Sequence, residues 1–328
     1  MNVRLGSIGL GWWGNTLANS ATKTGRAEVV TCFAPPAQER ALFVEKHGCA
    51  EVSELDDLLS DPDIEGVLIA TPHSTHADLI VQAAEAGKHV YTEKPLALTV
   101  AEADRAMAAC EAAGVVLQVG HNRRRLPANR AIKAMMDRGE LGQILFFEAT
   151  HSFPVLFMGA LGWRNNPAEL PAGGMTNLGI HQVDSFHYLT GRVAQVSAFS
   201  KRLFSTGEID DTTSINFEFE SGALGHLLTS TASGPVIDLT VHGTEGSAFN
   251  VDDGARLLLG RRGSSERVEV ELAELDTVVD ELTEFAAAVR GETVSETGGA
   301  EGREVVAVLE AIVASIEQDR SVDVDEFR

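Results

Sequence analysis

The run Val3-Arg4-Leu5-Gly6-Ser7-Ile8-Gly9-Leu10-Gly11-Trp12-Trp13-Gly14 decides how this chain is read. Val3 to Gly9 is a short β-like stretch, and a helical stretch follows from Asn15 to about Lys23. Three glycines at the switch do three jobs. Gly9 permits the tight bend, Gly11 lets the backbone come close to a pyrophosphate, and Gly14 lets helix and strand pack against each other. The helix N-terminus then offers its free amides to phosphates. This is the pattern of a dinucleotide-binding turn, set against the alternative of a glycine-rich turn without ligand. Trp12 and Trp13 either wall the cofactor or pack; the sequence does not separate the two.

Outward from the turn, Glu28 to Phe33 reads as a second strand. An acid at its end, about 20 residues past the glycines, is the usual partner of an NAD ribose. Ala34-Pro35-Pro36 stands there instead, and the nearest arginine, Arg40, lies on the following helix, Ala37 to Lys46. The choice between NAD and NADP stays open. After a short helix, Leu55 to Leu59, the strand Gly66 to Thr71 is continuously apolar, as expected when helices cover both faces. It ends in Thr71-Pro72-His73-Ser74-Thr75-His76, with a helix to about Ala86. Thr71, Pro72 and His76 are counted with the cofactor cleft, as is Ala34, although a histidine capping a helix start is the commoner case. No cysteine or carboxylate accompanies the histidines at ligand spacing, so no metal is expected. Lys88 to Thr92 is the next strand and leads to Glu93-Lys94-Pro95. An ammonium at the carboxyl end of a buried strand faces the crevice where open α/β sheets bind ligands. On this stretch alone a surface lysine in a turn is the commoner reading. A helix, Val100 to Ala113, and a strand, Val115 to Gly120, complete an alternation that predicts a doubly wound parallel sheet over residues 1–123.

Residues 124–328 have a different texture. A helix from about Ala128 to Arg138 precedes a strand, Gln143 to Ser152. Further β-like runs are Ala194 to Lys201, Thr212 to Glu220, Ala223 to Thr231, Val236 to Val241, Arg256 to Leu259 and Arg267 to Leu272. In Ser214 to Glu220 the apolar residues alternate strictly, which predicts an open, mainly antiparallel sheet with one free face, suited to a second copy of the chain. Helices over Thr277 to Val289 and Arg303 to Gln318 close an α+β domain. Within it, Gly173-Gly174-Met175-Thr176-Asn177-Leu178-Gly179-Ile180-His181-Gln182-Val183-Asp184 brings a loop in close and opens a helix. His181 falls in its first turn, with Asp184 three residues on along one face. A histidine there suits general acid or base work; a capping histidine bonded to Asp184 is the equal alternative.

The 328 residues, 44% of them hydrophobic, can bury a full core. A net charge of −22 disfavours nucleic acid and anionic membrane as partners. The three cysteines, Cys32, Cys49 and Cys110, show no metal spacing and fit a reduced compartment. With no apolar run of the ~20 residues a bilayer needs and a start that enters a strand directly without a leader, the expected location is the cytoplasm.

A glycine turn, then Glu93-Lys94-Pro95, then Gly173-Gly174 with a downstream His181-x-x-Asp184 resembles, over essentially the whole chain, the Gfo/Idh/MocA oxidoreductase family. The resemblance implies a Rossmann NAD(P) domain, a C-terminal domain whose open sheet commonly mediates dimers or tetramers, and reversible hydride transfer between NAD(P) and a sugar, polyol or related cyclic alcohol. It places Gly9, Gly11 and Gly14 on the pyrophosphate and Glu93 on the nicotinamide ribose. Lys94, before a proline often cis in the family, falls at the substrate oxygen, and His181 matches the family's catalytic histidine. The aspartate usual four residues earlier is Asn177 here, and an amide orients a hydroxyl without accepting its proton, so acid/base work passes to His181 assisted by Lys94. Arg123, His151, Trp163 and Arg164 fall where relatives contact substrate, with specificity expected in the loop from Phe153 to Leu170. Imine reduction, cis-dihydrodiol oxidation and a non-catalytic cofactor-binding sensor are the alternatives on the same scaffold.

Overall fold

The computed structural model describes residues 2–158 and 162–328. They divide into two compact units: the residues up to His121 together with Asp276–Val306, and Asn122–Leu275 together with Ala307–Arg328. Among the described residues no helix is long and apolar enough to cross a membrane.

In the first unit strands and helices alternate as β1 (Val3–Ile8), α1 (Trp12–Lys23), β2 (Ala27–Phe33), α2 (Ala37–His47), β3 (Ala50–Glu51), α3 (Leu55–Leu59), β4 (Gly66–Ile69), α4 (His76–Glu85), β5 (His89–Thr92), α5 (Val100–Ala113) and β6 (Leu117–Val119). The strands form one sheet in the order β3-β2-β1-β4-β5-β6, every pairing parallel. This is the order of a doubly wound nucleotide-binding sheet, with its crevice at the carboxyl ends of the strands. All four residues of β4 are buried, because helices cover both faces. Helix α5 starts on a capping box between Thr99 and Glu102.

One face of this sheet is completed from the far end of the chain. Val278, Leu282, Phe285 and Ala286 of α8 (Thr277–Val289) join Val3, Leu5, Leu17, Leu68 and Tyr91 in a single core. The Tyr91 hydroxyl donates to the buried Glu281 carboxylate at 2.6 Å. Helix α9 runs from Gly299 to Gln318, a turn earlier than the sequence predicts. Its glycines are packing positions: a Cβ on Gly299 would stand 2.7 Å from Met107, and one on Gly302 2.8 Å from Val119.

The second unit is built on α6 (Pro127–Asp137), β7 (Ile144–Ser152), α7 (Ile180–Thr190), β8 (Val193–Lys201), β9 (Thr212–Phe219), β10 (Leu224–Ser230), β11 (Val236–Gly243), β12 (Gly246–Val251), β13 (Arg256–Arg261), β14 (Arg267–Val270) and β15 (Val322–Asp323). Its sheet has the order β14-β13-β12-β11-β7-β10-β9-β8-β15. The pairing of β7 with β10 is parallel and the others are antiparallel. Strand β12 is absent from the sequence-based expectation because its buried positions are Gly246, Ala248 and Asn250, none of which reads as a core residue. In β9 the alternation holds as expected, with Ile215, Phe217 and Phe219 inside. The inner face gathers Phe147, Phe186, Phe217 and Phe219, with ring contacts between 5.3 and 6.2 Å. The outer face carries exposed Phe146, Phe199 and Leu224.

Candidate active site

At the glycine turn two of the three glycines meet a steric reason. Gly9 adopts a φ of +89°, and a Cβ there would lie 2.5 Å from the Ala70 carbonyl oxygen. A Cβ on Gly14 would lie 2.0 Å from the Gly9 oxygen, so helix α1 and the bend share space that only a glycine leaves. Gly11 is the opposite case, with nothing within 4 Å of its Cβ position. It is the N-cap of α1 and supplies no side-chain cap to the helix. The first-turn amides are therefore left for an anion that approaches over Gly11, which is the fit a dinucleotide pyrophosphate requires. Trp12, 74% exposed, stands at the rim of this turn and meets the half-buried Trp13 edge-on at 4.9 Å. Trp13 packs into the core beneath.

Ala34, at the end of β2, is buried, and its carbonyl accepts a 2.7 Å hydrogen bond from Arg40. Arg40 also donates to the Pro35 carbonyl at 3.0 Å and lies 3.4 Å from the Glu51 carboxylate. Its guanidinium is thus built into the end of the sheet.

The exits of β4 and β5 are neighbours. Their ladder extends to a 2.9 Å bond from the Glu93 amide to the Ile69 carbonyl. Beyond it come Thr71 and Pro72 on one strand and Lys94 on the other, where the Lys94–Pro95 bond is cis. Thr71 Oγ1 lies 2.7 Å from Thr75 Oγ1, which donates to the Pro72 carbonyl at 2.7 Å. His76 is fully buried, with Nδ1 2.7 Å from the Pro95 carbonyl oxygen and Nε2 3.1 Å from that of Thr71. Glu93 and Lys94 are buried as well, at 6% and 5% exposure. Burial pushes the Glu93 carboxyl up to about 7 against the pull of the Lys94 ammonium beside it. Gly120, at the end of β6, makes room for this carboxyl: a Cβ there would stand 2.6 Å from the Tyr91 hydroxyl and 3.2 Å from Glu93 Oε1. Nothing local in the sequence distinguishes Gly120 from a turn glycine.

In the second unit the paired glycines do bring a loop in close. Gly173 has a φ of +57°, and a Cβ on it would lie 2.2 Å from the Asp210 carbonyl oxygen. A π-helical turn over Met175–Gly179 carries the half-buried Asn177 into α7. Such wide turns often occur at functional sites, and no sequence pattern announces them. His181, in the first turn of α7, stacks on His151 of β7 with ring centroids 5.7 Å apart and planes 20° from parallel. Two residues assigned from distant parts of the sequence are thus brought together. Asp184 turns to a partner the sequence reading missed. Its two oxygens lie 2.5 and 3.0 Å from the guanidinium of Arg124, and both side chains are buried. Arg123, the member of the run Arg123-Arg124-Arg125 expected near substrate, pairs with Asp253. Trp163 and Arg164 form a cation–π pair, with the guanidinium carbon 4.2 Å from the ring centroid. Both are half-buried within the loop assigned to specificity, of which residues 159–161 lie outside the described residues. Among the described residues no group of three or more His, Cys, Asp or Glu side chains is placed to hold a metal ion.

Residues 3–121 match the profile of the oxidoreductase family with an NAD-binding Rossmann fold, and residues 129–249 that of the GFO/IDH/MocA C-terminal domain. The scyllo-inositol 2-dehydrogenase (NAD(+)) of Bacillus subtilis is 33% identical over 264 residues, covering 75% of this chain and 73% of that one. Among solved structures, an oxidoreductase of Desulfitobacterium hafniense, named for dependence on NADPH, superposes with a TM-score of 0.93 at 31% identity over 100% of this chain and 99% of that one. A levoglucosan dehydrogenase solved with NADH and levoglucosan gives a TM-score of 0.88 at 26% identity over 99% and 100%. With both profiles matched and these relatives covering most or all of its length, the chain belongs to the Gfo/Idh/MocA oxidoreductase family.

Proposed function

We propose that the protein is an NAD(P)-dependent dehydrogenase or reductase that moves hydride reversibly between the nicotinamide and the CH–OH carbon of a sugar, polyol or related cyclic alcohol. The observation that carries this reading is the buried Glu93-Lys94 pair at the carboxyl ends of a parallel nucleotide-binding sheet. An ammonium and a carboxyl kept from water at that edge cost too much to be a turn decoration. The dehydrogenases that resemble the chain are named for scyllo-inositol and levoglucosan, which supports a cyclic polyol as substrate.

In this proposal the turn around Gly11, with Gly9, Gly14 and the rim tryptophans, holds the pyrophosphate, and Ala34, Thr71 and Pro72 line the adjoining strand ends. When bound, the nicotinamide supplies the hydride acceptor or donor. Glu93 accepts from its ribose. His181 takes the proton of the reacting hydroxyl during oxidation, and the Lys94 ammonium stabilises the oxygen as charge develops. Asn177 orients the substrate by hydrogen bonding, since an amide has no proton affinity to offer. The stack on His151 fixes the plane of the His181 ring. Asp184 acts through Arg124, and Arg123, Trp163 and Arg164 belong to the substrate side. Residues 1–123 carry the cofactor role and 124–328 the substrate role, except that Asp276–Val306 supports the cofactor unit. The outward Phe146, Phe199 and Leu224 support a homodimer or homotetramer formed through the open sheet face. The three buried, unbridged cysteines support a reducing location such as the cytoplasm.

The test is a panel of inositols, anhydrosugars and aldoses assayed by NADH or NADPH absorbance, for the parent and for Lys94→Met. Loss of one electrostatic group at a reacting oxygen lowers turnover by about 10²–10³. Turnover of the variant within a few-fold of the parent overturns the assignment of Lys94.

A further inference from the structure

We propose that His76 is a positioning residue for Lys94, its ring protonated on both nitrogens and clasping the exits of β4 and β5. The proposal rests on the role given to Lys94 above. The two strands hydrogen-bond as far as Glu93 and Ile69. Past that point the carbonyls of Thr71 and Pro95 both face His76, and two acceptors cannot bond to each other. A side chain with two donors at a fixed angle joins them, and the ring meets both at 2.7 and 3.1 Å.

A neutral imidazole carries one N–H and one lone pair, so either tautomer would set a lone pair against a carbonyl oxygen at hydrogen-bond distance. The doubly protonated ring satisfies both. Forces oppose this charge. The ring is fully buried and stands in the first turn of α4, where the helix dipole is positive. Its neighbour His73 meets it edge-on at 5.8 Å. A short bond to the Pro95 carbonyl at 2.7 Å and a longer one to the Thr71 carbonyl at 3.1 Å, each donated by the charged ring, are what offsets these costs. The Pro95 carbonyl is one peptide past Lys94, and the Thr71 carbonyl lies between the two residues assigned to the adjoining strand end. Fixing both carbonyls fixes the direction in which the Lys94 side chain leaves the sheet. His76 touches neither cofactor nor substrate in this role.

The experiment has an arm independent of turnover. In parent protein labelled with 15N-histidine, the signals that vanish in His76→Gln are expected to show both nitrogens protonated at neutral pH; a single neutral tautomer overturns the proposal, whatever Lys94 does. In the second arm, His76→Leu, which has no donor, is expected to lose at least ten-fold in kcat while NADH affinity stays within about three-fold. His76→Gln, whose amide nitrogen carries two protons, is expected to recover most of that loss. Parental kcat in His76→Leu overturns the positioning role. So does a loss of kcat and NADH affinity together with no recovery in His76→Gln, because it marks general disruption. Failure of the Lys94→Met test leaves the NMR arm intact and is therefore distinguishable.

Discussion

Gly11 and Gly14 stand three residues apart in one turn, yet alanine at each is expected to fail differently. At Gly14 the new Cβ would lie 2.0 Å from the Gly9 carbonyl oxygen, against an ordinary contact of 3.4 Å or more. Helix or bend has to move by more than an ångström within a packed core. Overpacking of this kind costs about 1–3 kcal/mol, or roughly 3–10 °C in melting temperature for a unit of this size. At Gly11 the Cβ meets nothing within 4 Å, and its φ of −68° suits alanine, so Gly11→Ala is expected to melt with the parent. Its methyl instead occupies the approach to the first-turn amides of α1. Losing one amide-to-phosphate bond of about 1.5–3 kcal/mol weakens cofactor binding by roughly ten- to a hundred-fold. The assay is a ligand-free thermal melt of each variant, then titration with NADH and NADPH followed by tryptophan fluorescence, with exposed Trp12 as reporter. If Gly11→Ala bound cofactor as the parent does, the pyrophosphate would not lie over Gly11. If Gly14→Ala melted with the parent, the overlap would be relieved at no cost and the packing argument would fail.

Three further expectations concern charge and surface. The Glu93 carboxyl has its pKa raised by burial from its ordinary 4.5 to about 7, so the folded state binds its proton more tightly than the unfolded chain. That contribution to stability is full below pH 4.5 and is lost as pH rises through 7. Melts of parent and Glu93→Gln across this range should therefore converge or diverge with pH, the parent losing stability relative to the variant as pH rises; parallel curves refute the shift. Asp184→Asn removes the carboxylate that faces the buried Arg124 guanidinium and is expected to destabilise by about 3–5 kcal/mol, measured by urea unfolding; a change below 1 kcal/mol refutes the pairing. Leu224→Glu and Phe199→Glu place charges on the open sheet face, and light scattering after size exclusion is expected to show a smaller assembly with an unchanged melt; an unchanged mass removes this face as the interface.

The alternation of apolar strands with helices, and the glycines at the first switch, made the parallel sheet legible because both signals are local. The strict alternation in Ser214 to Glu220 did the same for the open sheet. Strand β12 was not legible, since Gly246, Ala248 and Asn250 are buried by neighbours rather than by their own hydrophobicity. Residues near Glu281 read simply as a closing helix. Their place beneath β5 is set by Tyr91 and Phe285, contacts between residues far apart in sequence. At the candidate site, residue types with rare chemistry, Lys94 and His181, could be picked out by motif. The partners that hold the site in shape could not: Arg124 against Asp184, Gly120 beside Glu93, and the two carbonyls around His76 exist only once the chain has folded.

The parallel pairing of β7 with β10 bears on the route by which the chain reaches this state. Strands β8, β9 and β10 pair with their sequence neighbours, as do β11, β12, β13 and β14, so each group closes through connections that are local in sequence. Strand β7 precedes both groups in sequence yet lies between them, with Leu224 opposite Phe146 on one side and Val236 opposite Ser152 on the other. It therefore has to enter a slot whose two walls, β10 and β11, follow one another directly along the chain. Closing a long loop before any contact rewards it is the slow part of β-sheet assembly. The ring of His151 is carried on this central strand, so the histidine stack depends on pairings between residues far apart in sequence and not on either meander alone.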